Sequence, residues 1–288
     1  MLSASSLQIN PAPPPLLPAR KLRGISAFFP AYNDGGTIAS MVVSTLMTLR
    51  ECAEDYEVIV VNDGSADYTG PLLDELARIH APHLRVVHHP RNLGYGAALR
   101  RGFATARKEW VFYTDGDAQY DPRELHVLLA ACLAHEEQVD VVNGYKISRH
   151  DPWYRLLIGR MYHHFVKRLF GLCLRDVDCD FRLIRRELFS RVELRSDSGT
   201  ICLEMVRKFQ DAGARFVEVP VHHYHRAFGQ SQFFNFRRLW RTGNQLLGLW
   251  RDLVWRAPRR TVEVPVPEPV FSEPATVAVP VAAGDEGR

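Results

Sequence analysis

Trp110-Val111-Phe112-Tyr113-Thr114-Asp115-Gly116-Asp117-Ala118-Gln119 joins an apolar run to two carboxylates with one residue between them. The run Trp110-Val111-Phe112-Tyr113 reads as a buried strand, being short, aromatic and β-branched. Strand side chains alternate faces, so Asp115 and Asp117 share a side only if the chain stays extended. Gly116 lets it turn instead. Either way both acids lie at the strand's C-terminal end, which is where open α/β sheets bind ligands. A hard divalent cation takes oxygen ligands and keeps positions open for phosphate oxygens. Taken alone, an Asp-Gly-Asp triplet is more often a solvated turn, so the surrounding chain has to decide.

Outward from this stretch, residues 24–145 alternate short apolar runs with amphipathic stretches. Strands are expected at 25–29, 57–62, 84–88, 110–114 and 139–143, with helices at roughly 36–53, 68–80, 95–107 and 122–136. Pro122 follows Asp121, a pairing of first-turn proline with N-cap residue. Strict alternation of strand and helix implies an α/β fold, a doubly wound, mostly parallel, Rossmann-like sheet. Such a sheet gathers its strand C-termini along one edge, so the polar residues after each strand should converge. They are Pro30-Ala31-Tyr32-Asn33-Asp34, then Asn62-Asp63-Gly64-Ser65, then Asn92-Leu93-Gly94-Tyr95-Gly96, then the Asp115/Asp117 pair. Each alone is a plausible loop with a helix cap, but together their chemistry is complementary. Tyr32 offers a flat surface for a base, and Asp63 can accept from a base or ribose donor. Gly94 and Gly96 allow close backbone approach, and the aspartates can hold a metal that bridges a diphosphate. Gly94-Tyr95-Gly96 lacks the third glycine of the dinucleotide fingerprint and follows the third strand, and no P-loop is present.

The 288 residues suit one large domain with appendages or two small ones. Apolar residues make up 46% and charged residues 24%, ordinary for a globular chain. A net charge of +3 is too small to argue for nucleic acid. The five cysteines are odd in number and form no C-x-x-C pair, so they read as reduced thiols and not as a disulfide framework or zinc site. No run approaches the 18 or so apolar residues of a spanning helix, and the N-terminus lacks the order of a signal peptide. The expected organisation is a Pro-rich arm over 1–22, a main domain over 23–232, an amphipathic helix over 233–257 and a disordered tail over 258–288.

The combination of these motifs resembles family 2 glycosyltransferases with the GT-A fold, over roughly residues 24–232. Within that family it is most similar to the dolichyl-phosphate mannose synthase branch, which moves a sugar from a nucleotide sugar to a polyprenyl phosphate. The resemblance implies that Asp115 and Asp117 approach a Mg²⁺ or Mn²⁺ ion and the donor diphosphate, with Gln119 completing the metal shell. It places Pro30, Ala31, Tyr32, Asn33, Asp34, Asp63 and Gly94 around the donor. Asp176-Val177-Asp178-Cys179-Asp180-Phe181-Arg182 resembles the branch's segment ending in small residue-Phe-Arg, with Asp180 where glycine is commoner. Arg226-Ala227-Phe228-Gly229-Gln230-Ser231 resembles a loop that closes on the donor phosphates, so Arg226 and Ser231 join the donor set; Gln232 replaces the usual lysine.

The implied reaction is displacement at the anomeric carbon with inversion. Metal and arginine stabilise the charge that builds on the leaving nucleoside diphosphate, giving Asp117 and Arg182 catalytic parts. A lipid phosphate, with a second pKa of about 6, is already a nucleophile and needs orientation by cations. Lys146, Arg149, Arg182 and Arg185 are the candidates. A soluble or polysaccharide hydroxyl acceptor would instead need a base, for which Asp178 and Asp180 stand in place. A non-catalytic nucleotide-sugar-binding subunit is a third possibility, against which Asp63, Asp115 and Asp117 argue. Segments 152–175 and 234–256 set Trp, Phe and Leu against Arg and Lys, the pattern of helices lying in a membrane interface; the competing reading packs them on the core or on a partner. The expectation is a cytoplasmic protein, peripheral at a membrane face. The histidines at 163–164, 222–223 and 225 read as edge or core residues before metal ligands.

Overall fold

The computed structural model describes residues 20–135, 138–147, 166–226 and 236–255. The tail 258–288, nearly all of the arm 1–22, most of segment 152–175, and Arg149 and Ser231 lie outside the described residues.

The expected alternation is present. β1 (Leu22–Ala31), β2 (Ala53–Asn62), β3 (Leu84–His88) and β4 (Trp110–Thr114) are separated by α1 (Ile38–Cys52), α2 (Thr69–Ile79) and α3 (Tyr95–Thr105). A 3₁₀ turn, Pro122–Glu124, leads into α4 (Leu125–Ala134), and β5 (Val141–Lys146) follows. The Asp121 side chain caps that turn by accepting from the Arg123 amide, with Pro122 in its first turn, as the pairing predicts. Beyond β5 come β6 (Phe181–Arg185), α5 (Leu188–Arg191), α6 (Thr200–Asp211), β7 (Phe216–Val221) and α7 (Phe236–Trp250). Strict alternation ends at residue 145, so β6, α5, α6 and β7 were not anticipated, whereas α7 falls within the stretch 233–257 read as an amphipathic helix.

All seven strands form one sheet in the order β3-β2-β1-β4-β6-β5-β7. β6 runs antiparallel to both β4 and β5, while the β1–β2, β1–β4, β2–β3 and β5–β7 pairs are parallel. Strand alternation divides the core in two. Ile25, Ala27, Phe29, Val58, Val60, Trp110 and Phe112 face α1, α2 and α4. Phe28, Ile59, Val61, Val111 and Tyr113 face α3 and α6. With both faces covered, the central strands are near-continuous apolar runs, as buried parallel strands must be.

α7 takes its place on the second core through Leu246, Leu249 and Trp250, joined by Val254 just beyond it. Its outer side leaves Leu247 and the following Trp255 exposed at 65% and 71%. The helix is thus partly a core helix, with a residual apolar outer face. Among the described residues no helix is long and apolar enough to cross a membrane.

Candidate active site

The ends of β1, β2, β3, β4, β5 and β7 meet on one edge of the sheet, and the antiparallel β6 starts there. The first two loops are interlocked. Asn33, held at φ 57°, donates its amide to Ser65 Oγ at 3.0 Å, and its Oδ1 accepts the Ala66 amide at 2.8 Å. Asn is among the few residues that tolerate this left-handed conformation. Thr37 Oγ1 donates to the Gly116 carbonyl at 2.9 Å, which ties the first loop to the acidic turn. The Tyr32 ring stands beside this junction, 48% exposed, so its face is open to a stacking partner.

Asp63 is only 3% exposed. Its Oδ1 accepts the Leu93 amide at 2.9 Å and its Oδ2 the Gly94 amide at 3.0 Å, while His89 Nδ1 lies 2.7 Å from Oδ1. The carboxylate expected to meet a base or ribose also shapes the third loop. Gly94 and Gly96 permit a close backbone approach, as their sequence context predicts, but the approaching backbone is the chain's own segment at 196–197.

In the fourth loop Ala118 takes φ 60° and turns the chain between the acids and Gln119. Asp115 Oδ1 accepts from the Tyr95 hydroxyl at 2.8 Å. Asp117 is buried; its Oδ1 accepts the Gln119 amide at 3.1 Å and its Oδ2 pairs with Arg226 Nη2 at 2.5 Å. Gln119 Nε2 donates to the Tyr224 carbonyl at 3.1 Å, and the Tyr224 amide returns a bond to the Gln119 carbonyl. The loop after β7 is in this way stitched to the loop after β4. Burial pushes the Asp115 carboxyl well above its usual range, with Asp180 and Asp117 adding to the rise. Asp34 rises to about 6, through burial first and also through Asp117, against the lowering effect of the Tyr32 amide.

Carboxylates crowded together at a strand end are a donor set for a hard cation, because a divalent charge offsets their mutual repulsion. Asp115, Asp117 and the amide oxygen of Gln119 suit Mg²⁺ or Mn²⁺. Among the described residues no three His, Cys, Asp or Glu side chains form a ready metal cage. Two carboxylates with open positions, to be filled by phosphate oxygens, are consistent with that.

Arg182 lies underneath. It is 1% exposed, with Nε donating to Asn143 Oδ1 at 2.5 Å, Nη1 to the Tyr113 hydroxyl at 2.7 Å and Nη2 to the Val177 carbonyl. All three guanidinium nitrogens are engaged within the protein, so Arg182 braces β4, β5 and β6 beneath the site. The Tyr113 hydroxyl in turn donates to Asp180 Oδ1 at 3.1 Å, which Cys202 Sγ also approaches at 3.0 Å. Lys146 closes β5 at the active edge and donates from Nζ to the Asp178 carbonyl at 2.7 Å; Asp178 itself is exposed.

The expectation for Arg185 is corrected. Arg185 is in register with Trp110, at the N-terminal end of β4, on the order of 16 Å from Asp115 at the rise of a strand. There it stacks over the Trp110 ring at 4.5 Å and pairs with Glu109 at 3.3 Å. It cannot belong to an acceptor clamp at the other end. His222 Nδ1 lies 2.5 Å from Glu124 Oε1 and His223 packs edge-on to Tyr120, edge roles for both. The five cysteines are free thiols.

A twisted α/β sheet with an acidic pair after its fourth strand, fronting the joined ends of its first three, defines a GT-A-type glycosyltransferase fold. The model of glycosyl transferase family 2 matches residues 26–193, more than half of the chain, and the chain belongs to that family. It is 28% identical over 213 residues to undecaprenyl-phosphate 4-deoxy-4-formamido-L-arabinose transferase of Proteus mirabilis (strain HI4320). That match covers 74% of this chain and 64% of the relative's length. Among solved structures, glucosyl-3-phosphoglycerate synthase from Mycobacterium tuberculosis, in complex with phosphoglyceric acid, superposes with a TM-score of 0.60 at 22% identity. The match covers 82% of this chain and 81% of that one. The same enzyme with Mn²⁺, uridine diphosphate and glucosyl-3-phosphoglycerate gives 0.60 at 21% identity, again over 82% and 81%. At those identities the likeness bears on the fold.

Proposed function

We propose that the protein is a metal-dependent, inverting glycosyltransferase that moves a hexose from a nucleotide sugar to a polyprenyl phosphate at the cytoplasmic face of a membrane. The observation that carries this reading is the crowded Asp115/Asp117 pair on the edge where the other strand-end loops converge. The similarity to a transferase named for an undecaprenyl-phosphate acceptor supports the lipid side. Residues 23–232 form the catalytic unit, to which the helix over 233–257 is appended.

Bound Mg²⁺ or Mn²⁺ supplies positive charge to the leaving nucleoside diphosphate. Asp115 and Asp117 hold it, with Gln119 beside them. Tyr32 gives the base a stacking surface, and Asn33, through its interlock with Ser65, fixes the loop of Pro30, Ala31 and Asp34 that flanks the donor. Arg226, placed by the Tyr224–Gln119 stitch, adds fixed positive charge near the phosphates. Ser231 belongs to the same donor loop by sequence. The acceptor phosphate, ionised above a pKa of about 6, attacks the anomeric carbon opposite the leaving group, with Lys146 and Arg149 orienting it. Arg182 acts from beneath by fixing Tyr113 and the start of β6. Leu247 and Trp255 on the outer side of the C-terminal helix are suited to the lipid interface. The exposed Asp178 supports a second reading, in which it serves as base for a hydroxyl acceptor.

A panel of nucleotide sugars, GDP-mannose and UDP-glucose included, assayed with and without polyprenyl phosphate in detergent tests the reading. Lipid-linked sugar from one donor is expected. Product on a hydroxyl acceptor alone would select the second reading. No nucleoside diphosphate release with any acceptor would leave a binding subunit.

A further inference from the structure

Tyr95 opens α3 between Gly94 and Gly96. Its ring packs against the core shared by α3 and α6, and its hydroxyl reaches out of that core to Asp115 Oδ1 at 2.8 Å. Both glycines are needed for this placement. Gly94 sits at φ 100°, and a Cβ there would lie 2.5 Å from the Asp197 carbonyl oxygen; at Gly96 it would lie 2.2 Å from that of Ser196. The segment at 196–197 is therefore seated directly on the start of α3, where the Gly96 amide donates to the Asp197 carbonyl at 3.0 Å. Arg100 clamps it by donating to the Arg195 and Ser196 carbonyls and pairing with Asp197 Oδ1 at 2.5 Å. Glu204, buried, accepts the Arg195 amide at 3.0 Å and the Ser196 amide at 2.8 Å. A helix start of this kind often binds phosphate through its amides. Here one of those amides is consumed internally, and the outcome is a rigidly aimed phenol.

We propose that Tyr95 is a positioning residue for the divalent cation: by occupying Oδ1 it holds Asp115 so that Oδ2 faces the metal as a single-oxygen ligand. This rests on the reading of Asp115 as a metal ligand. Groups that hydrogen-bond to a ligating carboxylate fix its orientation, and losing one costs roughly 10–100-fold in metal affinity.

The test is calorimetric titration of Mn²⁺ into the full chain with UDP, and separately with GDP, for wild type, Tyr95→Phe, Asp115→Asn and the double variant. Urea midpoints are followed in parallel. Tyr95→Phe is expected to weaken Mn²⁺ binding about 10-fold or more, to leave metal-free nucleotide binding unchanged, and to add nothing further in the Asp115→Asn background. Equal Mn²⁺ affinity in wild type and Tyr95→Phe would overturn this inference alone, as would a loss of the same size in both backgrounds. Wild type that takes up no Mn²⁺ with either nucleotide would overturn the proposed function as well.

Discussion

Arg226 Nη2 sits 2.5 Å from Asp117 Oδ2, so a side chain from the loop after β7 meets one from the loop after β4 at the candidate metal position. A cation arriving at Asp117 must share that carboxylate with the guanidinium or displace it. Asp117→Asn is therefore expected to lower metal-dependent turnover by at least about 10²-fold while the fold survives, because the asparagine oxygen can still accept from the Gln119 amide. Turnover and circular dichroism of the variant check this. Undiminished activity with the metal chelated would remove Asp117 from the mechanism.

The acidic crowd makes stability depend on pH in a direction opposite to that of most carboxylates. Asp34 has a folded pKa of about 6 against an ordinary 3.8, so the fold favours its neutral form. That contribution is fully present below about pH 4 and is lost as pH rises through 6. Asp115, raised by burial and by Asp180 and Asp117, acts in the same sense. The urea midpoint of wild type relative to Asp34→Asn, without metal, should fall between pH 4 and 7. A relative midpoint that rises over this window would contradict the burial argument.

At Gly96 an added Cβ meets Ser196 O at 2.2 Å and the Asp197 carbonyl carbon at 2.7 Å, both backbone atoms with little room to yield. Gly96→Ala is expected to cost about 1–3 kcal/mol, in the range of overpacked sites, and to lift the segment at 196–197. Urea unfolding measures the first effect, and amide exchange at Ser196 and Asp197 the second. Unaltered protection there would show that the contact is not tight.

Arg185 supplies a control at the far end of the sheet. Its stack on Trp110 and its partly exposed pair with Glu109 are together worth roughly 0.5–1 kcal/mol. Arg185→Ala should lose about that much stability and leave the KM for a polyprenyl phosphate unchanged. A raised acceptor KM at constant stability would restore it to the site.

Residues 110–114 and 84–88 were legible as strands because an apolar run between polar turns has few other uses. The four strand-end loops were legible because each carries side chains that a parallel sheet sends to one edge. What escaped was whatever depends on contacts between distant segments. β6 and β7 follow stretches whose periodicity gives no alternation to continue. Arg182 and Arg185 are three apart on one strand, and nothing local says that one ends beneath the site and the other at the opposite rim; the antiparallel register with β4 decides it. Asp63 looked like a ligand contact since the donors it accepts from, the Leu93 and Gly94 amides, belong to a loop some 30 residues on. Tyr95 stood inside a motif read for its glycines. A large polar side chain between two residues chosen for having none was the available signal.

β6 opposes both of its neighbours, and this reversal bears on how the molecule can vary. The chain departs from the active rim after Lys146 and re-enters it at Phe181, so the connection between β5 and β6 starts and finishes at the same edge of the sheet. Its length can vary without disturbing any strand pairing, although Phe170, Leu172, Leu174 and Val177 near its end are buried in the second core. The tightly registered β1–β4 half, by contrast, has no such freedom. A chain built on this plan can keep the loops of its β1–β4 half unchanged while the connection from β5 to β6 differs.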